Sequence, residues 1–139
     1  MDWDNKPGGL LRVGCNSGRL DADGTVRVTL GDESHEAGQI YGHRDALDAV
    51  DLANELGADL QGIYSLTDLR RLRRTSHEAR TIAAPVKARR LALLVDSPVT
   101  RMLGNAYQLV SPPECPVRMF TEEELAVEWL RAGMTPVVD

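Results

Sequence analysis

Residues 91–95, LALLV, constrain this chain more than any other stretch. The run is short and unbroken, with Arg89 and Arg90 before it and Asp96, Ser97 and Pro98 after it. An apolar run of that length with polar stops suits a strand buried on both faces. Asp96 or Ser97 can accept a bond from the free amides of a following helix, and Pro98 fits its first turn. Val99, Met102, Leu103, Ala106, Tyr107 and Val110 then recur at helical spacing, and Ser111, Pro112 and Pro113 stop that helix. Val117–Phe120 reads as a second strand, and Thr121 opens a second helix. This alternation is the pattern of a sheet with helices packed against it. It predicts that Leu93, Leu94, Val95, Leu103 and Leu130 are buried.

Upstream, residues 10–13 read as a short strand. Residues 19–21 and 25–30 flank an Asp23-Gly24 turn and read as a hairpin, with the second arm alternating polar and apolar. Residues 38–41 are a further candidate strand. His43–Leu56 is the clearest helix, with Ala46, Leu47, Ala49, Val50, Ala53 and Leu56 on one face and Gly57 as its stop. Its acidic residues form a solvated face. Residues 62–66 suit a central strand ending at Thr67 and Asp68. Thr75-Ser76-His77-Glu78 matches a capping box, with Thr75 as the cap of a helix running through Ala79, Ile82 and Ala83 towards Pro85. Thr121 and Glu124 repeat the box. The expected organisation is a loose arm over residues 1–9, one domain over 10–133 and a tail over 134–139.

The chain has 139 residues, 42% hydrophobic and 27% charged, ordinary values for one globular domain. Net charge is -5, which weighs against general nucleic-acid binding. No apolar run approaches the ~20 residues that span a membrane, and the N-terminus lacks a secretory pattern; the expected compartment is the cytoplasm. Cys15 and Cys115 are widely separated and read as free thiols.

Charge is unevenly spread. Arg70, Arg71, Arg73, Arg74, Arg80, Lys87, Arg89 and Arg90 make eight of the sixteen basic residues, and that window holds one acid, Glu78. The segment is either a solvated face pairing with the acidic helix, or an anion or partner contact through Arg70, Arg71, Arg73, Arg74 and Arg80. No aromatic interleaves these arginines, which disfavours single-stranded nucleic acid.

Chemistry-bearing motifs are absent. No phosphate loop or metal spacing is present, and no metal or cofactor is expected. Ser97 lacks the glycines of a nucleophile elbow and reads as a cap. Asp68 and Asp96 both follow strands and can meet at one sheet end, where open α/β sheets place ligands, so Asp68, Asp96 and Ser97 form a candidate sheet-end site.

Residues 90–99 (RLALLVDSPV), Arg101, Leu103-Gly104-Asn105, Pro112-Pro113, residues 116–121 (PVRMFT) and 126–130 carry a resemblance to the STAS superfamily, the SpoIIAA-like domains of anti-sigma-factor antagonists and sulphate-transporter tails. The chain looks closest to a STAS-like bacterial branch common in actinobacteria. The resemblance spans roughly residues 19–131. It implies a single α/β domain with a mixed sheet of about five strands and helices mainly on one face. It also implies a non-enzymatic regulatory module that binds a protein of the anti-sigma-kinase kind, with a homodimer as a candidate state. In antagonists of this family a strand ends at an aspartate and a short loop leads to a phosphorylatable serine; Asp68 and the pair Thr75 and Ser76 stand at the matching places. The family's Asp-Ser-Ser-Gly loop is replaced here by Arg73-Arg74-Thr75-Ser76-His77. The competing expectation is a small-molecule or lipid-binding protein that uses an apolar groove of the same fold.

Overall fold

The computed structural model describes residues 9–31, 39–60, 62–79, 88–110 and 115–134, without the side chains of Tyr107 and Val110. These residues form a single α/β domain around one six-stranded mixed sheet: β1 (Leu11–Val13), β2 (Asn16–Leu20), β3 (Thr25–Thr29), β4 (Ile63–Asp68), β5 (Ala88–Leu94) and β6 (Val117–Phe120), in that spatial order. The first three strands are antiparallel neighbours, and β3 to β6 run parallel. Three helices accompany them: α1 (His43–Leu56), α2 (Pro98–Val110) and α3 (Glu123–Met134).

The order explains the layers. From β3 to β6 each parallel strand lies beside the previous one, always in the same direction, so right-handed connections all fall on one face. That face carries α1, α2 and the described part of the β4–β5 connection. Leu52, Leu103, Leu69, Leu72 and Ala79 share one buried cluster with Val26, Val28, Leu91 and Leu93 of the sheet. Among the described residues no strand follows β6, so α3 is free to cover the other face, where Ala126 and Leu130 meet Leu66, Ala92 and Leu94. β5 is therefore sandwiched, as its unbroken apolar run demands. Leu93, Leu94, Val95, Leu103 and Leu130 are all buried. Gly104 lets α2 lie close on β6, because a Cβ there would run into the Met119 sulfur.

The hairpin turns where expected. Gly24 adopts φ +93°, Asp21 and Thr25 close the turn, and the Thr25 amide donates to the Asp23 carboxylate at 2.9 Å. Five expectations need correction. The sheet gains a strand because Val13 and Asn16 pair across Gly14 and Cys15, which makes β1 and β2 a hairpin of their own. Residues 39 and 40 are exposed and form no strand; only Tyr41 makes an isolated parallel bridge, to Thr75. Leu52, which the helix-face reading omitted, is fully buried, whereas Leu47 is half-buried. Met102 points outward and is 46% exposed. The second Thr box also shifts, since α3 begins at Glu123, two residues past Thr121. The arm up to residue 8, Ile82, Ala83, Pro85, the Pro112-Pro113 loop and the tail from 135 lie outside the described residues.

Candidate functional site

The parallel half of the sheet ends at Asp68 on β4 and at Asp96, two residues past β5. These ends are neighbours: Asp68 pairs in register with Leu94, and the Leu69 amide donates to the Leu94 carbonyl at 3.0 Å.

After β4 the sequence LRRLRR alternates one leucine with two arginines. Leu69 and Leu72 are fully buried and the Leu72 amide closes a turn on the Leu69 carbonyl, so the arginines between and after them are turned outward. Each described bond of this loop has a definite role. Asp68 clasps Arg70 through both oxygens, accepting Nε at 2.9 Å and Nη2 at 2.8 Å, and also accepts the Arg70 amide at 2.9 Å. This hydrogen bond, against partial desolvation, holds Arg70 above its ordinary range, helped by the charges of Asp68, Glu123 and Asp96. Arg71 Nε donates to the Gly31 carbonyl at 2.8 Å, and Arg73 Nη1 donates to the carbonyls of Arg70 and Leu72. Arg71, Arg73 and Arg74 are exposed. Arg80 lies outside the described residues.

The loop is then stitched to α1. The Tyr41 amide donates to the Arg74 carbonyl and the Ser76 amide to the Tyr41 carbonyl, at 2.8 and 3.0 Å. The Tyr41 hydroxyl, buried, bonds Asn16 Oδ1 at 2.6 Å and the Asp45 carbonyl at 3.0 Å; Asn16 Nδ2 donates to that same carbonyl at 2.9 Å. This bridge holds Thr75 in extended backbone. Ser76 caps the turn that follows, its Oγ accepting the Ala79 amide at 3.1 Å. The described residues carry only a turn there, up to Ala79.

The end of β5 is built differently. Buried Thr100 directs Oγ1 at the amides of Asp96 and Ser97, both at 3.0 Å, while Ser97 Oγ accepts the Thr100 amide at 3.2 Å. The two hydroxyls are 3.1 Å apart. Asp96 is exposed. The structure therefore brings Asp68, Asp96 and Arg70 to one sheet end, with Ser97 as a cap, but gives the two carboxylates different tasks.

Tyr41, Asn16 and Thr100 were missed by sequence reasoning. The available hint was compositional: aromatics are only 4% of this chain, so a tyrosine beside a helix start is a costly residue to leave on the surface.

Elsewhere, Arg27 links Asp21 to Glu123 at 3.1 and 2.8 Å, and Arg131 reaches Asp23 at 2.8 Å. Partial burial alone would raise the Asp23 carboxyl, but the Thr25 backbone bond and Arg131 together hold it below its ordinary value. The basic loop and the acids of α1 make no ion pair among the described residues; Asp48 pairs with Arg44 of its own helix, at 3.6 Å. A cleft of about 390 Å³ is lined by Asp23, Leu60, Tyr64, Arg89 and Met134, among others. Among the described residues no acid, histidine or cysteine cluster is placed to hold a metal ion, and no helix is long and apolar enough to cross a membrane.

Residues 51–133 match the family described as Domain of unknown function (DUF7793). Among solved structures, the chain is similar to an uncharacterized protein from the DUF3478 family with a SpoIIAA-like fold, from Shewanella loihica PV-4. Identity is 15% and the TM-score 0.52, over 88% of this chain and 90% of that one; the likeness is one of fold. A protein with unknown function from Arthrobacter sp. FB24 is 31% identical, over 82% of this chain and 97% of that one, with a TM-score of 0.30. No curated protein matches the chain.

Proposed function

We infer that this chain, which belongs to the DUF7793 family, is a non-enzymatic, STAS-like protein-binding module whose contact surface is the loop after β4 and whose switch is Ser76, with Thr75 beside it. The observation that supports this most is the setting of Ser76. It opens a turn after the strand that ends at Asp68, it is only half-buried, and its Oγ accepts the Ala79 amide. A phosphate on that oxygen would sit at the amide end of a turn, two and three residues from exposed Arg74 and Arg73, where charge-assisted bonds favour a dianion. The fold would tolerate the modification while the charge of the contact surface changes. The partner on this reading is a regulatory protein of the anti-sigma-kinase kind.

The test compares wild type, Ser76→Ala and Ser76→Asp by cross-linked capture of interacting proteins from a lysate of the source cells, with thermal melting in parallel. The expected result is a partner held by wild type and Ser76→Ala and lost by Ser76→Asp, with the melting of Ser76→Asp close to wild type. Equal capture by all three removes the switch.

One observation favours the small-molecule alternative. The 390 Å³ cleft combines apolar Leu60 and Met134 with Asp23, Tyr64 and Arg89, a lining suited to a ligand with an apolar body and a polar head. Native mass spectrometry of the purified protein, showing a bound mass that Arg89→Gln abolishes, would support it.

A further inference from the structure

We propose that the partner segment recognised by the loop after β4 is a short carboxylate-rich peptide, held by the guanidinium groups of Arg71 and Arg73; this rests on the reading of that loop as the contact surface. Both side chains are exposed, and each is already fixed along one edge. Arg71 donates Nε to the Gly31 carbonyl, and Arg73 donates Nη1 to the carbonyls of Arg70 and Leu72. Carbonyl partners orient a guanidinium but leave its charge uncancelled. Among the described residues neither arginine has a carboxylate partner, although the chain carries 21 acidic residues against 16 lysines and arginines. Arg70 shows the contrast: Asp68 holds it bidentately and satisfies it within the fold.

The surface is also rigid. Leu69 and Leu72 anchor it in the core, the Leu72 amide closes the turn, and the pairing of Tyr41 with residues 74 and 76 fixes its far end. Preordered forks lose little freedom on binding, and the carboxylate is the planar anion that matches them. Longer polyanions fit less well. Residues 69–79 include no Phe, Tyr or Trp on which a base could stack, and the chain as a whole, at net charge -5, repels an extended phosphate backbone.

The test uses fluorescence anisotropy of a labelled oligo-glutamate peptide with the full chain. The peptide should bind at low salt and weaken steeply as salt is raised. The double variant Arg71→Gln/Arg73→Gln should bind at least about tenfold more weakly. Arg118→Gln, which removes an exposed charge on the opposite face of the sheet, should bind as wild type. The Arg71→Lys/Arg73→Lys pair, which keeps charge but loses the forks, should fall between, and it serves as the measurement if the glutamine pair does not fold. A single-stranded oligonucleotide of equal charge and phosphatidylglycerol vesicles, both anionic through phosphate alone, should compete poorly. Binding by the glutamine or lysine pair equal to wild type, equal competition by either polyanion, or no peptide binding at any salt would overturn the proposal. The Ser76 comparison stands apart from these outcomes, since a partner can be lost on Ser76→Asp without using carboxylates.

Discussion

The ends of β4 and β5 begin from nearly the same chemistry and finish differently. Each parallel strand leads to an aspartate, and each is followed by a serine that caps a turn or helix. At β5 the two are adjacent, and the cap is sealed: Ser97 and Thr100 satisfy each other, and Thr100 also takes the amides of Asp96 and Ser97. At β4 seven residues separate Asp68 from Ser76. Those residues spend their apolar side chains on anchoring and their arginines on the surface. A sealed end fixes a helix. An open end that is nevertheless anchored is an available surface, and this difference, more than any single residue, supports the contact site proposed after β4.

The largest expected effect tests whether that open end is anchored. Leu72 is fully buried although it stands in a loop. Leu72→Ala should cost roughly 2–5 kcal/mol, in the range expected for Leu103→Ala inside α2. Chemical denaturation that returns under about 1 kcal/mol for Leu72→Ala would mean that the loop is loose and the two ends differ only in length.

The fold was legible because its determinants are local. The unbroken run of β5, the Asp23-Gly24 turn and the apolar face of α1 each carry their own geometry. The site was legible only in position. Asp68, Arg71, Arg73 and Ser76 could be picked out, but not their partners, because the bonds that shape the loop come from residues far away in sequence. Tyr41 shows why. Read alone, Gly38 to Tyr41 looks like a strand; in the fold, Tyr41 forms one bridge with Thr75 and buries its hydroxyl on Asn16. That single bridge sets the backbone beside Ser76, whose Oγ takes the Ala79 amide. Register of this kind is decided by tertiary packing, and local propensity yields to it.

The next effect compares the caps. Thr100→Val keeps the shape of the side chain but strips the amides of Asp96 and Ser97 of their shared acceptor in a buried setting, so it should cost about 1–3 kcal/mol. Ser76→Ala removes one bond to the Ala79 amide at a half-buried position and should cost about 1 kcal/mol. Urea melts of the two variants should therefore rank Thr100→Val as the more damaging. The reverse order would show the β4 end to be the sealed one.

The smallest effect separates the two aspartates. Asp68 bonds Arg70 through both oxygens and through the Arg70 amide, with side-chain exposures of 19% for the acid and 39% for the arginine. Water screens a pair so placed, and Asn can still accept the amide bond, so Asp68→Asn should cost only about 0.5–1 kcal/mol. Asp96 is exposed and is a near neighbour of Arg70 in charge alone, so Asp96→Asn should fall within about 0.5 kcal/mol of wild type. Salt sharpens the contrast, because the Asp68 contribution is partly Coulombic and should shrink as ionic strength rises, whereas Asp96 has almost none to lose. Paired melts of both variants at low and high salt give the four values needed. If Asp96→Asn proves as costly as Asp68→Asn, and as salt-sensitive, the two carboxylates act as one unit at the sheet end; the open end then extends across both strands and includes Asp96 in the contact surface.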